Sequence, residues 1–569
     1  MIKGMLGTAL RYHRAGRLNE AERIYRQILE IDSQQADSLH LLGMIAYQAQ
    51  DYERAIGLIR KAIAIRPADA AYHSNLGTIF HAQGNLDEAA HCYEHALALQ
   101  PDLAKTRYNL GTVLHAQGKL DEAAACYERA LALQPTLAEA HYNLGNVLQS
   151  QGRLEEAVAR YERTLALEPG KCEAHHNLGN ALQAQDKLDE AAACYERALA
   201  VNPDYAKAHF SLGSVFHSLG QLDAALDRYR TALALQPDLA EAAFSLGLAQ
   251  LLQGEFSEGW RNYESRWQTK EHTPPMRAYR LPLWRGEKLG AGRLLIWGEQ
   301  GIGDEIMFAG LVPDVMGTGH RCILDCDARL RPLFARSFSG RSFSGAEIDV
   351  VSSQASGEDP GRDPELQVAA HIPSGSLPGL FRATHATFAG TRSPYLIADS
   401  AQRDRFRASY GDGRLLGGLA WYTNNRKTGR TRSVELSALA PLFALRGIRW
   451  ITLQYGDHDA LEEQVAASCT PLLVDRSVDQ FADLDRFAAQ IAAMDFVVTI
   501  DNSTAHLAGA LGVPTYVLLP FAPDWRWQLE RDDSPWYPML RLFRQPRGGD
   551  WKSVVRKVQA ALSLSISML

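Results

Sequence analysis

The chain has 569 residues, of which 46% are apolar and 22% are charged, and its formal net charge is −7. A chain of this length exceeds what one hydrophobic core supports, so it predicts roughly two to four domains. The acidic balance argues against nucleic acid as the main partner, because binding to a phosphate backbone requires a basic surface.

No apolar run approaches the roughly 20 residues that a membrane-spanning helix needs, so no membrane span is predicted. The start of the chain lacks an apolar stretch of signal-peptide length. Seven cysteines occur without a CxxC motif, and Cys92, Cys126 and Cys194 recur at multiples of 34 residues. This pattern indicates buried apolar side chains rather than disulfides, so we expect a cytoplasmic protein.

The first half of the chain follows a 34-residue period, which glycines, tyrosines and prolines all share. The prolines lie at Pro67, Pro101, Pro135, Pro169, Pro203 and Pro237. One unit, residues 140–169, is AHYNLGNVLQSQGRLEEAVARYERTLALEP, with two apolar stripes separated by Gly152. This spacing is typical of helix–turn–helix tetratricopeptide repeats. We predict roughly eight units within residues 1–268, stacked into an α-solenoid with a concave groove.

Asparagine recurs at one position of the first helix in four successive units: Asn75, Asn109, Asn143 and Asn177. A carboxamide carries donors and an acceptor, so it can hold the backbone of an extended peptide. The array resembles the tetratricopeptide superhelix of protein O-GlcNAc transferases, in which a row of asparagines holds the acceptor polypeptide. The resemblance implies a peptide-binding groove at these four positions. The alternative is that the asparagines only cap helices or pack between them.

The repeat pattern stops after Trp267, and residues 269–292 are rich in Pro, Gly and charge, as in a connector. Strands and helices then alternate, which predicts parallel sheets with right-handed crossovers. Strands are predicted at residues 293–297, 321–326, 347–351, 367–372, 415–421, 449–454, 471–475, 496–500 and 514–519. Helices are predicted at residues 480–494 and 551–563.

These elements form two blocks, residues 293–400 and 401–569, which predict two Rossmann-like lobes facing across a cleft. That is the arrangement of GT-B glycosyltransferases, with an acceptor lobe followed by a donor lobe for the nucleotide sugar. In open α/β sheets the ligand lies beyond the carboxyl ends of the strands, so the strand–helix junctions are where a site is expected.

The first junction, residues 294–306, is LLIWGEQGIGDEI. Gly301 and Gly303 allow a ligand to approach the backbone at a helix N-terminus. The stretch resembles the first strand and loop of family 9 glycosyltransferases, which are heptosyltransferase-like. That resemblance implies that Asp304 is the base that deprotonates the acceptor hydroxyl, with Glu299 as the rival carboxylate. The alternative is that Asp304 only caps its helix.

The second junction, residues 418–436, is GLAWYTNNRKTGRTRSVEL, a strand followed by a basic loop. Positive charge beyond a strand end suits a diphosphate leaving group, on which negative charge develops as the glycosidic bond breaks. The loop resembles the basic loop of family 9 enzymes, and Lys427 and Arg432 are the best matches. The alternative is a solvated run of charges.

The third junction, residues 496–514, is FVVTIDNSTAHLAGALGVP. Free N–H groups and the positive end of the helix favour an anion there. The stretch resembles the donor motif of family 9. By that resemblance the residues that contact phosphate or sugar are Asn502, Ser503, Thr504 and His506, with Asp501 near the sugar. Helix capping alone accounts for one residue of this group.

Two further groups of residues are weaker candidates for a ligand or metal site. Trp525, Trp527 and Trp536 border a ligand or form core, which is more usual for aromatic residues. The pair Asp325 and Asp327 arises easily by chance. We therefore predict no catalytic metal and no cofactor, with a nucleotide sugar as co-substrate.

Together these features predict a glycosyltransferase that moves a sugar from a nucleotide sugar to a hydroxyl of a polypeptide held by the repeat groove. A flagellin-type acceptor fits this design. The catalytic half resembles family 9 and not the catalytic domain of O-GlcNAc transferases, so GlcNAc is not implied. One alternative is transfer to a glycan or lipid-linked saccharide, with the repeats recruiting partners. Another is a non-catalytic repeat scaffold with a degenerate GT-B fold.

Overall fold

The computed structural model describes residues 1–269, 276–277, 279–290, 292–339, 347–353, 360–361, 363–391, 393–424 and 429–567. The chain separates into two compact units, Met1–Val215 and Phe216–Leu569. Every contact discussed below lies within one of these units. None of the helices in the described part of the chain is long and apolar enough to cross a membrane. All seven cysteines are free thiols, as the sequence predicts.

The repeat region consists of sixteen helices in eight helix–turn–helix pairs, as the period predicts. They are α1 (Ile2–Arg14), α2 (Leu18–Ile31), α3 (Ala36–Gln48), α4 (Tyr52–Ile65), α5 (Ala70–Ala82), α6 (Leu86–Leu99), α7 (Ala104–Ala116), α8 (Leu120–Leu133), α9 (Ala138–Ser150), α10 (Leu154–Leu167), α11 (Cys172–Ala184), α12 (Leu188–Val201), α13 (Ala206–Ser218), α14 (Leu222–Leu235), α15 (Ala240–Gln253) and α16 (Phe256–Tyr263). A 3₁₀ segment, Glu264–Gln268, follows the last helix. The final helices, from α14 onward, belong to the second compact unit.

Close packing between the two helices of each unit explains why glycine and tyrosine recur together. In the α9–α10 pair, a Cβ atom at Gly145 would lie 2.6 Å from the ring of Tyr161. Tyr161 is fully buried. The turn between the helices contains Gly152 with φ 75°, a conformation that glycine adopts without strain. The 34-residue period is therefore a packing requirement of each pair.

The α/β region contains two parallel sheets. The first has β1 (Arg293–Trp297), β2 (Cys322–Asp325), β3 (Ile348–Val351) and β4 (Val368–Pro373), in the order β3-β2-β1-β4. The second has β5 (Leu415–Leu419), β6 (Ile448–Thr452), β7 (Leu472–Leu473), β8 (Phe496–Ile500), β9 (Thr515–Leu519) and β10 (Leu540–Arg544), in the order β10-β9-β8-β5-β6-β7. This second order is the 3-2-1-4-5-6 order of doubly wound folds.

The helices of this region are α17 (Ile302–Ala309), α18 (Val312–Gly317), α19 (Arg331–Phe338), α20 (Leu377–Phe381), α21 (Ser400–Tyr410), α22 (Gly429–Arg432), α23 (Ala440–Phe443), α24 (His458–Ala467), α25 (Leu484–Ala492), α26 (Ser503–Ala510) and α27 (Trp551–Ser567). Each predicted strand is present, although the one predicted at 471–475 is only two residues long. The helix predicted at 480–494 begins at Leu484, where Asp483 caps it. Strand β10 and helices α18, α20, α21, α22 and α24 were not predicted.

We predict that Gly145→Ala destabilises the α9–α10 pair by about 1–3 kcal/mol, because the added methyl group overlaps Tyr161. Gly57→Ala is the matched control, since Gly57 is a helical glycine of α4 with no atom within 4 Å of an added Cβ. That change should stabilise α4 by about 0.5–1 kcal/mol, through helix propensity. Native-state hydrogen exchange of these helices measures both effects. Equal protection in the two variants would contradict the packing explanation.

Candidate functional site

The two sheets each have a point at which the strand order reverses, and the predicted junctions lie there. In the first sheet the reversal is at β1, between β2 and β4. In the second sheet it is at β5, between β6 and β8. Ligands of open α/β sheets bind beyond the carboxyl ends of the strands at such points. The loops that follow β1, β5 and β8 are the three junctions that the sequence singles out.

Two of these junctions contact each other directly, since helices α17 and α26 begin side by side. A Cβ atom at Gly303 would lie 3.0 Å from Cδ2 of His506 and 3.7 Å from Cα of Ser503. Gly303 therefore allows the close approach of the two helices. The structure thus brings together two motifs that lie about 200 residues apart in the sequence.

A chain of five charged side chains connects these junctions, and we call it the charge chain. Its members alternate in sign: Asp304, Arg526, Asp524, Arg432 and Asp501. They come from the loops or helices that follow β1, β5, β8 and β9. The side chains are between 4% and 20% exposed. Charges this buried are costly unless they are paired, which explains the alternation.

Arg526 is the link between the two sheets. It donates to Asp304 beside the first sheet with one terminal nitrogen, Nη2, and to Asp524 with the other, Nη1, at 2.6 Å. Its guanidinium lies 4.4 Å from the ring centre of Trp525, a cation–π distance. Asp524 in turn accepts from Arg432 at 3.3 Å.

Arg432 extends the charge chain to the end of β8. Its Nη1 lies 3.1 Å from Oδ2 of Asp501. The two groups are close enough for charge attraction, but they are not aligned as a hydrogen bond. Asp501 is only 4% exposed. Arg432 of the basic loop thus lies beside the third junction, whereas Lys427 lies outside the described residues. Diphosphate binding by these two residues stays a prediction.

The three carboxyl groups of the charge chain titrate differently. Burial raises the pKa of Asp304 above its usual value, against the opposing effect of Arg526. Burial likewise raises the pKa of Asp501, against Arg432. Burial would also raise the pKa of Asp524, but Arg526 and Arg432 outweigh it and hold that pKa at about 2. Asp524 is therefore a fixed negative charge, while Asp304 can exchange a proton nearer to neutral pH.

His506 is a neutral side chain in this setting. Burial, with a smaller contribution from Arg526, lowers the pKa of His506 to about 3. Its Nδ1 lies 3.0 Å from the hydroxyl of Tyr537, and its ring stacks on Trp527 with 5.3 Å between centroids. His506 can therefore donate or accept one hydrogen bond, but it does not contribute a positive charge.

The N-terminus of α26 has polar groups without partners. Asn502 caps the helix by accepting from the N–H of Ala505 at 3.3 Å, and it also accepts from Thr499 at 2.9 Å. Its Nδ2 and the Oγ1 of Thr504 are buried without a hydrogen-bond partner, and Thr504 is fully buried. Ser503, in the first turn, is partly exposed. Buried unsatisfied polar atoms at a helix N-terminus fit an anionic ligand.

Asp304 caps its helix, which is the alternative that the sequence offered, and its role as the base stays a prediction. Its Oδ2 accepts from the N–H of Gly301 at 3.3 Å, which caps α17, and its other oxygen accepts from Arg526. The neighbouring Gln300 has φ 64°, an unusual backbone conformation for a residue other than glycine. Such strain is typical of loops that are shaped by a functional requirement.

Glu299, the rival carboxylate, is engaged in a different way. Both of its oxygens accept from Arg266, at 2.8 and 2.9 Å, and one also accepts from the N–H of Gly375 at 2.8 Å. The side chains of Glu299 and Arg266 are 0% exposed. Arg266 lies in the 3₁₀ segment that follows α16. Glu299 therefore fastens the first junction to the end of the repeats, which favours a structural role over that of a base.

The last repeat helix supplies further contacts to the first junction and to the segment that follows β9. The Tyr263 hydroxyl accepts from Nε2 of Gln300 at 2.7 Å. The indole of Trp260 donates to the carbonyl of Arg382 at 2.9 Å and meets Trp525 edge to face at 5.2 Å. Trp525, Trp527 and Trp536 are all buried, so they belong to the aromatic core between these elements.

Arg526, Asp524 and Arg266 were not predicted as site residues. Asp524 and Arg526 follow β9, the neighbour of β8, in the stretch PDWRW. The sequence could have identified them, because they form a pair of opposite charges soon after a buried strand, and that strand follows the donor junction. Arg266 gave no such signal, because it lies on the repeat side of the change in pattern.

The four asparagines of the repeats are half-buried, and three of them, Asn75, Asn143 and Asn177, bond to the preceding repeat. Asn143 donates to the hydroxyl of Tyr108 at 3.1 Å, and Asn177 donates to that of Tyr142 at 3.0 Å. These bonds connect neighbouring repeats, as the packing alternative requires. Peptide binding by Asn75, Asn109, Asn143 and Asn177 stays a prediction.

Within the described residues, no group of three or more His, Cys, Asp or Glu side chains is placed to hold a metal ion. Asp325 accepts from Arg277 and from Ser353, and Asp327 accepts from Arg329 at 2.9 Å. Asp325 and Asp327 thus have separate arginine partners. The expectation of metal-independent chemistry stays a prediction.

Comparison with known proteins supports the repeat assignment. Models described as "TPR repeat" or "Tetratricopeptide repeat" match residues 12–77, 77–118, 111–152, 146–186, 176–238 and 218–259. The chain is 32% identical over 336 residues to Protein FlbA of Caulobacter vibrioides, a match that covers 55% of this chain and 53% of FlbA. The chain therefore spans about half the length of this relative. The matched part is longer than the repeat array, so it includes part of the α/β region.

Two solved structures are similar to the repeats. YrrB, described as a TPR protein with an unusual peptide-binding site, is 26% identical, with 33% of this chain and 96% of YrrB covered and a TM-score of 0.31. The pilF protein of Pseudomonas aeruginosa is 22% identical, with 36% of this chain and 94% of pilF covered and a TM-score of 0.33.

We predict that Arg266→Ala destabilises the second compact unit by about 3–5 kcal/mol, because it leaves the buried Glu299 carboxylate without its counter-ion. Arg261→Ala is the control, since Arg261 is an exposed arginine one turn earlier. It should change stability by less than about 0.5 kcal/mol. Thermal unfolding followed by tryptophan fluorescence compares the two. Similar melting of both variants would show that the Glu299–Arg266 pair does not fasten the junction.

Proposed function

We propose that the protein is a glycosyltransferase that moves a sugar from a nucleotide sugar to a hydroxyl group, with the two sheets acting as a GT-B pair. The observation that carries this proposal is the contact between the junctions after β1 and β8. It places a carboxylate, Asp304, beside a helix N-terminus that has unpartnered buried polar groups. A base next to an anion site is what transfer from a diphosphate donor requires.

The donor side is formed by α26 and the charge chain. The diphosphate lies against the N-terminus of α26, where Asn502, Ser503 and Thr504 donate and the helix dipole favours negative charge. The neutral His506 adds one hydrogen bond to phosphate or sugar. Arg432, with Lys427 of the basic loop, supplies positive charge as the diphosphate leaves. Asp501 lies nearest to the sugar.

The acceptor side uses Asp304 as the general base. The acceptor oxygen attacks the anomeric carbon while the bond from that carbon to the diphosphate oxygen breaks. Asp304 takes the hydroxyl proton, and the nucleoside diphosphate leaves with the electron pair. The raised pKa of Asp304 suits this role, because a base works best when its pKa lies near the working pH.

The chain contains tetratricopeptide repeats and is similar to FlbA. These two findings support a role as a scaffold or recruiter for its first half. We propose that the repeats recruit a polypeptide acceptor, of flagellin type in the leading hypothesis. Transfer to a glycan or lipid-linked saccharide is the second candidate for the acceptor. In that second candidate the repeats only recruit partners, and the pairing of Asn143 and Asn177 with neighbouring repeats favours it. The third candidate is a non-catalytic repeat scaffold with a degenerate GT-B fold.

Donor binding is tested by thermal shift and calorimetry with UDP, ADP, GDP and CMP sugars. We expect one of them to bind and Thr504→Val to weaken that binding about fivefold to tenfold, as for one hydrogen bond to a charged group. The variant should not lose stability, because the hydroxyl has no partner in the fold. Thr164→Val, which changes a buried threonine of the repeats, is the control and should leave the affinity unchanged. If none of the nucleotides binds, the donor site is wrong.

Catalysis is tested with Asp304→Asn, which keeps a side chain able to cap α17. We expect nucleotide binding to remain and turnover to fall at least about 100-fold, because the base is lost. Intact-mass measurement of co-expressed candidate polypeptides reports transfer as a sugar-sized adduct. In the wild type, kcat/KM should fall as the pH drops through the pKa of Asp304, which burial raises above the ordinary value of 3.8. An adduct formed equally by Asp304→Asn would assign the base elsewhere.

A further inference from the structure

We propose that Arg526 is a positioning residue that exchanges partners. It neutralises Asp304 in the structure, and a diphosphate bound at α26 takes it over and leaves Asp304 as an unpaired base. This inference rests on the proposed function, because it names how the donor and the base of that reaction are coupled. It follows from the contacts that Arg526 makes with both sides of the site.

The first argument is the way in which the Arg526 guanidinium is shared. Nη2 serves Asp304 and Nη1 serves Asp524, so each carboxylate receives only one terminal nitrogen. A phosphate group accepts two nitrogens of one arginine in parallel, which is the stronger arrangement. A diphosphate therefore competes well with two single contacts, even though both are buried.

The second argument is position. Gly303, the neighbour of Asp304, lies against His506 and Ser503 in the first turn of α26. The charge chain runs from Asp304 through Arg526 to Asp501, which directly precedes the residues of that turn. The guanidinium thus lies between the candidate base and the candidate phosphate site. In the proposed exchange the guanidinium turns from one to the other beside the Trp525 ring, whose centre lies 4.4 Å away.

The third argument is the number of charges. The charge chain has three carboxylates and two guanidinium groups, and both guanidinium groups are paired with these carboxylates. A diphosphate therefore gains a positive partner from the charge chain only if one guanidinium leaves a carboxylate. Asp524 is additionally held by Arg432, and it keeps a partner when Arg526 turns away. Among the described residues, Asp304 accepts otherwise only from the N–H of Gly301. Asp304 is therefore the carboxylate that loses its counter-ion, and this makes it a stronger base when the donor is bound.

A double-mutant cycle tests this coupling without any acceptor. Inorganic pyrophosphate and the nucleoside diphosphate found by the donor panel are titrated calorimetrically into the full chain. We expect Asp304→Asn to tighten binding about tenfold, because the competitor for Arg526 loses its charge. Arg526→Gln should weaken binding. In the Arg526→Gln background, Asp304→Asn should have no effect.

General charge repulsion gives a different result, since Asp304→Asn would then tighten binding equally in both backgrounds. That outcome overturns the proposal while leaving the donor site intact. Arg526→Lys provides a second background if Arg526→Gln does not fold, because it keeps the charge but not the two-pronged geometry. There the tightening should fall below about threefold, and an unchanged tenfold tightening also overturns the proposal.

Arg547→Gln removes an arginine that is 85% exposed in the loop after β10, and it should leave the cycle unchanged. Absence of pyrophosphate and nucleotide binding to the folded wild-type chain would reject the proposed function itself. Binding by the wild type without coupling between positions 304 and 526 would reject only the exchange of partners. The two failures are therefore distinguishable.

Discussion

The buried ion pair between Asp304 and Arg526 is the interaction on which the candidate site depends. It joins a helix that follows β1 to a loop that follows β9, and so it connects the two parallel sheets. The pair exists because Gly303 has no side chain, which lets α17 approach α26 closely. Buried charges are stable only in pairs, and this requirement extends the pair into the alternating charge chain that ends at Asp501.

The end of the repeat array is part of the same construction. Arg266 neutralises Glu299 in the first junction, and Trp260 packs on Trp525 beside the charge chain. The period of the sequence ends near Gln268, but the compact unit that contains the α/β region begins at Phe216. The last repeats therefore have two roles, since they continue the helical pattern and also complete the core around the junctions.

The first junction contains two carboxylates whose different surroundings give them different properties. Glu299 and Asp304 lie five residues apart on one loop and its helix; the Glu299 side chain is fully buried, and that of Asp304 is 18% exposed. Glu299 accepts from two nitrogens of Arg266, one at each of its oxygens. Asp304 shares its arginine with Asp524, and burial raises its pKa. The second environment is the one in which a carboxylate can act as a base.

The sequence by itself determined the repeats, the parallel sheets and the positions of the three junctions. Those features follow from local rules: a 34-residue packing period, apolar strands of about five residues, and polar residues where a strand ends. The half-exposed edge strand β10, whose arginines alternate with apolar residues, and the polar helix α21 did not show these patterns clearly.

Only the tertiary structure decided which junctions meet and which charges pair. Asp304 and Arg526 are 222 residues apart, and nothing in the chemistry of either stretch selects the other. Likewise, Arg266 belongs to the repeats by its sequence and to the junction by its contacts. Pairing of this kind depends on how the sheets and helices pack, because a buried charge takes whichever partner the folded chain brings within reach.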